Sequence, residues 1–312
     1  MPKTLTFHIH TDTENQSIQQ FLRKHLEFSQ AQIRSLKFRE NGITVNGSRC
    51  RIDYILKNED ILRLALEEKT SSSRIVPLFK PISILYEDED VLVVNKPAGI
   101  LVHPVGGHYG DTLSNMVSAY YQKQNQDITI RPVGRLDKDT SGAVMFAKNK
   151  IAAARFSQKN CNSGFEKEYL AIVSGIPGNP KDEICSPLDR CPGKPLKMQV
   201  DSNGKTAFTS YEIEKTFSAS ALLRVRITTG RTHQIRVHMA SIGHPLLGDR
   251  LYGTEKSLSL KGFSRTALHA ACVQFKQPFS GQTIQIEAPL PEDFKAYLFT
   301  KSYFKNSFPK QR

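Results

Sequence analysis

The chain has no tryptophan, few cysteines and no long apolar run, and each absence narrows what the protein can be. Its 312 residues include no Trp and five Cys. The cysteines are widely scattered, at Cys50, Cys161, Cys185, Cys191 and Cys272. The spacing of the nearest pair, Cys185 and Cys191, is not that of a zinc site. We therefore expect free thiols in a reducing compartment, and no metal ion.

Long apolar runs are also absent. No segment approaches the roughly 18 apolar residues of a membrane-spanning helix. The first residues, 1–8, lack the apolar stretch typical of a signal peptide. Apolar residues still make up 39% of the chain, which is enough for a core and argues against wholesale disorder. We expect a cytoplasmic protein without a membrane segment, with a length that suits about two domains.

What the chain has in excess is positive charge. It contains 43 Lys and Arg against 30 Asp and Glu, a net charge of +13. Such an excess favours a polyanionic partner, and nucleic acid is the first candidate. Residues 1–69 carry +2, residues 70–294 carry +6 and residues 295–312 carry +5. The positive charge that would attract a nucleic acid is therefore spread along the chain, and residues 1–69 are not its main source.

A change of composition predicts the domain organisation. The polar, serine-rich stretch near residues 67–74 separates two regions with apolar patterning. We predict a small domain over 1–68, a linker over 69–80, a large domain over 81–296 and a basic C-terminal tail over 297–312. Chain termini often fray, which favours a solvated tail.

The small domain has the pattern of two helices followed by a compact hairpin. Ser17 and Ser29 are candidate N-caps of the two helices, and Asn46–Gly47 is a turn between strands. The second helix carries the basic residues Arg34, Lys37 and Arg39. This arrangement resembles the S4-type RNA-binding domain. The alternative is a generic small α/β unit whose basic helix is merely solvated.

The large domain alternates short strands with a few helices. The patterning predicts strands over 84–86, 91–94, 143–147, 169–173 and 221–227. It predicts helices over 111–123, 150–160 and 231–241. Strands that are not regularly interleaved with long helices indicate an α+β fold with a mixed, largely antiparallel sheet.

One polar loop has the composition of a reactive site. Residues 134–142, Gly-Arg-Leu-Asp-Lys-Asp-Thr-Ser-Gly, lead directly into the apolar strand 143–147. Hydrogen bonds and a nearby cation in such a loop would keep an aspartate ionised, as a nucleophile or base requires. The alternative is an Asp-rich turn. The loop 95–104, Asn-Lys-Pro-Ala-Gly-Ile-Leu-Val-His-Pro, is interpreted as a structural turn.

A second string, Gly-Arg-Thr-His-Gln-Ile-Arg-Val-His at 230–238, follows a predicted strand and begins a helix. A helix N-terminus with Arg and His nearby suits an anion. His233 and His238 do not share a helical face well, and no further ligand lies close in the sequence. We therefore expect phosphate binding or simple packing here, and no zinc ion.

Taken together, these strings resemble the RluA-type pseudouridine synthase family. Its catalytic motif reads Arg-Leu-Asp-x-x-Thr-Ser-Gly, which matches residues 135–142, and the string at 230–238 matches a second family motif. Further matching strings lie at 243–249, 251–253, 268–270 and 288–294. The resemblance covers roughly residues 80–294. One position differs, since many relatives have His where this chain has Gly134.

The resemblance implies a pseudouridine synthase fold and the isomerisation of uridine within RNA, without a cofactor. It implies three catalytic residues. Asp137 is the essential aspartate, as a nucleophile or as a base. Arg236 pairs with it and keeps it ionised. Tyr169 stacks on the uracil and helps to remove the C5 proton.

The resemblance also implies residues that hold the substrate. Arg135 fills the space left by the flipped base, and Ile235 lines the pocket. Arg231 and His233 are expected to bind substrate as well, because they lie in the second motif.

The S4-like front end is the usual companion of this catalytic domain in the ribosomal branch of the family. The leading hypothesis is therefore a monomeric enzyme acting on ribosomal RNA, specifically the 23S large-subunit rRNA. A transfer RNA substrate and a non-catalytic RNA-binding ribosome-assembly factor are the alternatives. A glycosidase ranks last, because a sugar cleft uses aromatic platforms and the chain has no Trp.

Overall fold

The structure is a computed structural model that describes residues 3–26, 28–66, 75–126, 128–157, 164–260 and 262–306. Contacts divide the chain into two compact units. The first contains the described part of 1–72 together with 149–154, and the second contains the described part of 73–148 and 155–312. Within the described residues, none of the helices combines the length and the hydrophobicity of a membrane-spanning segment.

Within residues 1–72, the first unit contains a four-stranded antiparallel sheet and two helices. Its elements are β1 (Lys3–His8), α1 (Ile18–Lys24), α2 (Gln30–Lys37), β2 (Ile43–Val45), β3 (Ser48–Arg49) and β4 (Ile61–Leu66). The strand order is β1-β4-β2-β3. Ser17 and Ser29 cap the two helices through capping boxes, as the sequence predicted. Strand β1 was not predicted, because its alternation of apolar and polar residues is short.

The remaining elements lie after residue 80 in the chain. The strands are β5 (Ser83–Glu87), β6 (Val91–Lys96), β7 (Arg131–Val133), β8 (Ser141–Ala147), β9 (Glu166–Ser174), β10 (Lys181–Ile184), β11 (Leu188–Arg190), β12 (Met198–Val200), β13 (Thr209–Thr216), β14 (Ser220–Ile227), β15 (Leu268–Lys276) and β16 (Thr283–Glu287). The helices are α3 (Leu113–Lys123), α4 (Lys150–Ser157), α5 (Gln234–Ser241), α6 (Glu255–Ser259) and α7 (Glu292–Asn306).

Ten of these strands form one sheet, in the order β10-β13-β14-β9-β15-β8-β6-β5, with β16 paired to β15 and β7 paired to β8. Strand β8 pairs in parallel with β15 and antiparallel with β6 and β7. The other pairings of this sheet are antiparallel in the described residues. The predicted α+β class with a mixed, largely antiparallel sheet is therefore confirmed.

One hydrophobic cluster places helices α3 and α5 against the central strands. Part of the predicted linker is bound to α3, because Leu78 donates its N–H to the carbonyl of Asn115, which in turn donates its side-chain amide to Val76. Residues 69–74 of that linker lie outside the described residues.

The predicted tail over 297–312 differs from what the structure describes. Helix α7 continues past residue 296, because Phe294 and Tyr297 are buried in a second cluster with Leu247. Residues 307–312 lie outside the described part of the chain. The same is true of residues 158–160, the end of the helix predicted over 150–160.

Gly142 determines how closely β8 approaches β15. Its φ is +111°, and a Cβ at this position would lie 2.2 Å from the carbonyl oxygen of Ala270 on β15. Both the backbone conformation and the space therefore require glycine. This contact fixes the end of β8 that follows the polar loop 134–140.

We predict that Gly142→Ala lowers the free energy of unfolding by about 3 kcal/mol or more, because it adds a steric clash to the cost of a positive φ. Gly107→Ala is the matched control, since Gly107 also has a positive φ of 92° but nothing within 4 Å of its Cβ position. The control should cost only about 1 kcal/mol. Urea denaturation measures both, and equal losses would contradict this account of the β8–β15 contact.

Candidate active site

A cleft of about 610 Å³ opens where the polar loop meets helix α5. Three segments, 101–105, 134–140 and 227–236, form most of its lining, together with side chains from β9. All seven predicted site residues line this cleft: Arg135, Asp137, Tyr169, Arg231, His233, Ile235 and Arg236. Residues that are up to about a hundred positions apart in the sequence are thus brought to one place.

Asp137 lies in the turn that precedes β8. Arg236 donates a hydrogen bond from Nη1 to its Oδ2 at 3.2 Å, and the Nε2 of His233 lies 3.8 Å from the same oxygen. No residue in the described ranges donates to Oδ1. The carboxylate is therefore paired through one oxygen, while the other is left for a substrate.

Arg236 is itself held by a second carboxylate. Its Nε and Nη2 donate to the two oxygens of Asp249 at 2.7 and 2.8 Å, and Asp249 is fully buried. Asp249 also accepts the backbone N–H groups of Leu251 and Tyr252. The forked pairing fixes the guanidinium plane and leaves Nη1 for Asp137.

The ionisation of this network follows from its contacts. Burial opposes the charge on Asp249, but the hydrogen bonds and charge of Arg236 lower the pKa of Asp249 below its ordinary value. Burial likewise opposes the charge on Arg236, but Asp249 and then Asp137 raise its pKa. Asp249 and Arg236 are therefore both charged at neutral pH, and together with Asp137 they have a formal net charge of −1.

Tyr252 connects this network to the rest of the cleft. Its ring centroid lies 5.1 Å from the Arg236 guanidinium carbon, and its hydroxyl lies 2.9 Å from the Nδ1 of His233. The hydroxyl also accepts the N–H of Met198 on β12. Burial lowers the pKa of His233, so the imidazole is neutral at pH 7 and adds no positive charge beside Asp137.

The start of helix α5 differs from the prediction. The helix begins at Gln234 and not at residue 231, because His233 has a positive φ of 54°. The side chain of Gln234 holds this turn by accepting the N–H of Arg231 at 3.0 Å and by donating to the carbonyl of Phe208 at 2.8 Å. His238 is buried and bound to Thr209 and to the carbonyl of Ser186. Among the described residues, no three His, Cys, Asp or Glu side chains are grouped as a metal site would require.

Apolar and aromatic surface faces the carboxylate. Tyr169, from β9, and Ile235, from α5, are both 4% exposed. Burial, followed by the negative charge of Asp137, raises the pKa of Tyr169, so its phenol is neutral at pH 7. The pair forms an apolar surface in the cleft.

The mouth of the cleft is basic. Arg135 and Arg231 are exposed. Arg135 donates to the hydroxyl of Thr232 at 3.4 Å, and Arg231 donates to the carbonyl of Thr206 at 3.0 Å. These contacts orient the two guanidinium groups but leave most of their donors to the solvent. An anionic ligand would meet positive charge on its way in.

Two basic side chains that the sequence analysis did not single out hold the Asp137 loop. The fully buried Lys96 donates to the carbonyl groups of Pro97, Ile100 and Lys138 at 2.8–3.0 Å, and burial lowers its pKa to about 7. Arg265 donates to the carbonyl of Asp139.

Arg265 also pairs with Asp293 at the start of α7, at 2.7 and 3.0 Å. The loop 95–104, interpreted from the sequence as a structural turn, supplies Lys96 to hold the Asp137 loop, and its residues 101–104 also line the cleft. Only a contact map would have identified Arg265, since no pattern surrounds it in the sequence. Asp249 and Tyr252 lie in the strings 243–249 and 251–253, which match the family. The sequence analysis assigned no role to either residue.

We predict that Asp249→Ala lowers the free energy of unfolding by about 3 kcal/mol at pH 7, because Arg236 loses its buried partner. The pKa of Asp249 is lowered in the folded state, so the ion pair contributes fully at pH 5 and above and is lost only as the pH falls below about 4. Denaturation at several pH values measures this, with the exposed Asp12→Ala as the control. If the difference in unfolding free energy between the wild type and Asp249→Ala already shrinks between pH 7 and pH 5, the assignment is contradicted.

Comparison with known proteins places this chain in a family. The family model described as RNA pseudouridylate synthase matches residues 90–241. A Bacillus subtilis (strain 168) protein, uncharacterized RNA pseudouridine synthase YhcT, is 38% identical over 255 residues, which is 81% of this chain and 83% of that protein. Ribosomal large subunit pseudouridine synthase D of Haemophilus ducreyi is 39% identical over 267 residues, 81% of this chain and 79% of that protein.

Solved structures share the fold. Human RNA pseudouridylate synthase domain containing 4 matches with a TM-score of 0.58 at 22% identity, covering 70% of this chain and 93% of that one. Human RNA pseudouridylate synthase domain containing 1 matches with a TM-score of 0.54 at 23% identity, covering 75% and 98%. With these matches, the resemblance seen in the motifs is confirmed: the chain belongs to the RNA pseudouridylate synthase family.

Proposed function

We propose that this protein converts specific uridines of ribosomal RNA, in the 23S large-subunit rRNA, to pseudouridine through Asp137. The observation that carries the proposal is the pairing of Asp137 with Arg236 in a cleft that also contains Tyr169. The choice of ribosomal RNA is supported by several relatives, each named ribosomal large subunit pseudouridine synthase D.

The reaction breaks the bond between N1 of uracil and C1′ of ribose, turns the base, and joins C5 to C1′. The C5 proton leaves and N1 gains a proton, so no other reactant is consumed. Asp137 acts either as a nucleophile or as a base, and both routes need its ionised form. Arg236 donates a hydrogen bond to this carboxylate, while Asp249 balances part of the positive charge of Arg236.

The base is proposed to lie between Tyr169 and Ile235. The cleft volume of about 610 Å³ is within the range of small-ligand sites and suits a nucleotide turned out of its stack. Because the Tyr169 phenol is neutral, its proposed contribution is stacking and hydrogen bonding rather than action as a phenolate. Arg135 at the mouth is proposed to occupy the space that the base leaves.

The first unit is proposed to bind RNA as an S4-like domain. Phe38, at the end of α2, is 70% exposed, and the cations of Arg34 and Lys37 lie 5.9 and 5.7 Å from its ring centroid. An exposed ring beside two cations suits a base and its phosphate. The proposal includes action in the cytoplasm as a monomer without a cofactor.

We predict that the purified protein introduces pseudouridine at one or more positions of 23S rRNA taken from a strain that lacks the gene. Site-by-site mapping of pseudouridine, with and without the protein, measures this. If the protein modifies only transfer RNA, its substrate is transfer RNA and not ribosomal RNA. Binding of ribosomal RNA without any new pseudouridine would favour the non-catalytic assembly factor and contradict the proposal.

We predict that Asp137→Asn lowers turnover at least about a thousandfold while RNA affinity stays within about threefold, because the amide keeps the shape but loses the reactive charge. Asp139→Asn is the matched control, since this exposed aspartate lies in the same loop. It should retain turnover. Single-turnover kinetics measures both variants, and equal losses would remove the special role of Asp137.

A further inference from the structure

Lys167 is a cation in the cleft that the proposed mechanism does not use. It lies on β9 two residues before Tyr169, so the two side chains share one face of the strand. It lines the same cleft as Asp137 and is only partly exposed. It is therefore close to the reacting carboxylate, but it is not part of the network of Arg236.

The Lys167 ammonium has no protein acceptor within the described ranges of the chain. The ammonium lies over the ring of Phe165, with Nζ 5.4 Å from the ring centroid. Burial alone lowers the pKa of Lys167 to about 8, with no carboxylate to compensate. The contrast with Lys96 is direct, because three carbonyl groups bind that ammonium. An ammonium that lies in the cleft and is bound by no protein acceptor is available to a ligand that supplies one.

Gly134 provides the space for this cation. A Cβ at position 134 would lie 2.9 Å from the Lys167 Nζ, and Gly134 has a positive φ of 73°. The ammonium thus lies over the first residue of the motif 134–142, three residues before Asp137. Because position 134 has no side chain, the ammonium can lie against the backbone of the catalytic loop.

We propose that Lys167 binds a backbone phosphate of the RNA next to the uridine that enters the cleft. A compact ammonium with three donors suits a phosphate oxygen, and every nucleotide in an RNA chain brings phosphates with it. The exposed Arg135 and Arg231 meet the RNA at the mouth, whereas Lys167 meets the phosphate inside the cleft. This inference rests on the proposed function, because it requires RNA in the cleft.

The first test measures the binding of a single-stranded oligouridylate at several salt concentrations, which requires no knowledge of the target site. Lys167→Met should weaken binding about tenfold or more and make the slope of log K against log salt shallower by about 0.7. Lys167→Arg should keep the slope, since it keeps the charge. Lys181→Met, at an exposed position on β10, is the control and should leave both unchanged. A slope that is unaltered in Lys167→Met would overturn the proposal.

The second test separates a phosphate from a uracil carbonyl as the ligand. An RNA carrying the mapped uridine is made with a neutral methylphosphonate at each neighbouring phosphate in turn. At one position the wild-type protein should lose about tenfold in affinity and Lys167→Met should lose nothing further. Equal losses in both proteins at every position would overturn the phosphate assignment and leave a base contact.

These outcomes are distinct from failure of the proposed function. If the wild-type protein forms no pseudouridine in any RNA, the proposed function fails, whatever the Lys167 variants do. If it forms pseudouridine and the Lys167 variants bind and respond to salt like the wild type, only this inference fails. Thermal unfolding checks the fold of Lys167→Met, and Lys167→Arg provides a second variant that keeps the cation.

Discussion

The guanidinium of Arg236, held between Asp249 and Asp137, is the interaction on which the rest of the site depends. Asp249 is fully buried and takes two of the donors of Arg236, so a single donor remains for Asp137. The position of the reactive carboxylate is thus set by a second carboxylate that lies far from it in the sequence. Because Asp249 balances the charge of Arg236, the network keeps one net negative charge in the cleft. The ring of Tyr252 contacts the guanidinium, and its hydroxyl is within hydrogen-bond distance of His233, so Tyr252 links Arg236 to His233.

The sheet and two basic side chains hold the loop that carries Asp137, the other partner of Arg236. The loop that carries Asp137 leads into β8, and Gly142 allows β8 to approach β15 closely enough for a parallel pairing inside a mostly antiparallel sheet. Lys96 and Arg265 bind carbonyl groups of the same loop through their basic side chains. A loop bound in this way does not need to reorder when a substrate arrives, which is the physical content of preorganisation. Lys167 shows the opposite arrangement, a cation whose protein acceptors are missing in the described residues.

Much of this was predictable from the sequence, and what was missed has a physical reason. The helix starts at Ser17 and Ser29 depend on local capping, and the strand into which the Asp137 loop leads is a continuous apolar run, so both are visible in short windows. The role of Asp249 is tertiary, since nothing next to it in the sequence shows that its partner is Arg236. The end of α7 was assigned to a tail from its charge, yet Phe294 and Tyr297 are buried by long-range packing.

The claim that Asp249 positions Arg236 against Asp137 is tested most directly by a double-mutant cycle. The cycle measures turnover for Asp249→Asn, Arg236→Gln and the double variant. If Asp249 acts by positioning Arg236, each single variant slows turnover and the double variant is no slower than Arg236→Gln alone. RNA affinity should change little across the cycle, because the loss lies in the orientation of Asp137. Losses that multiply in the double variant would contradict the account, since Asp249 would then act independently of the pairing between Arg236 and Asp137.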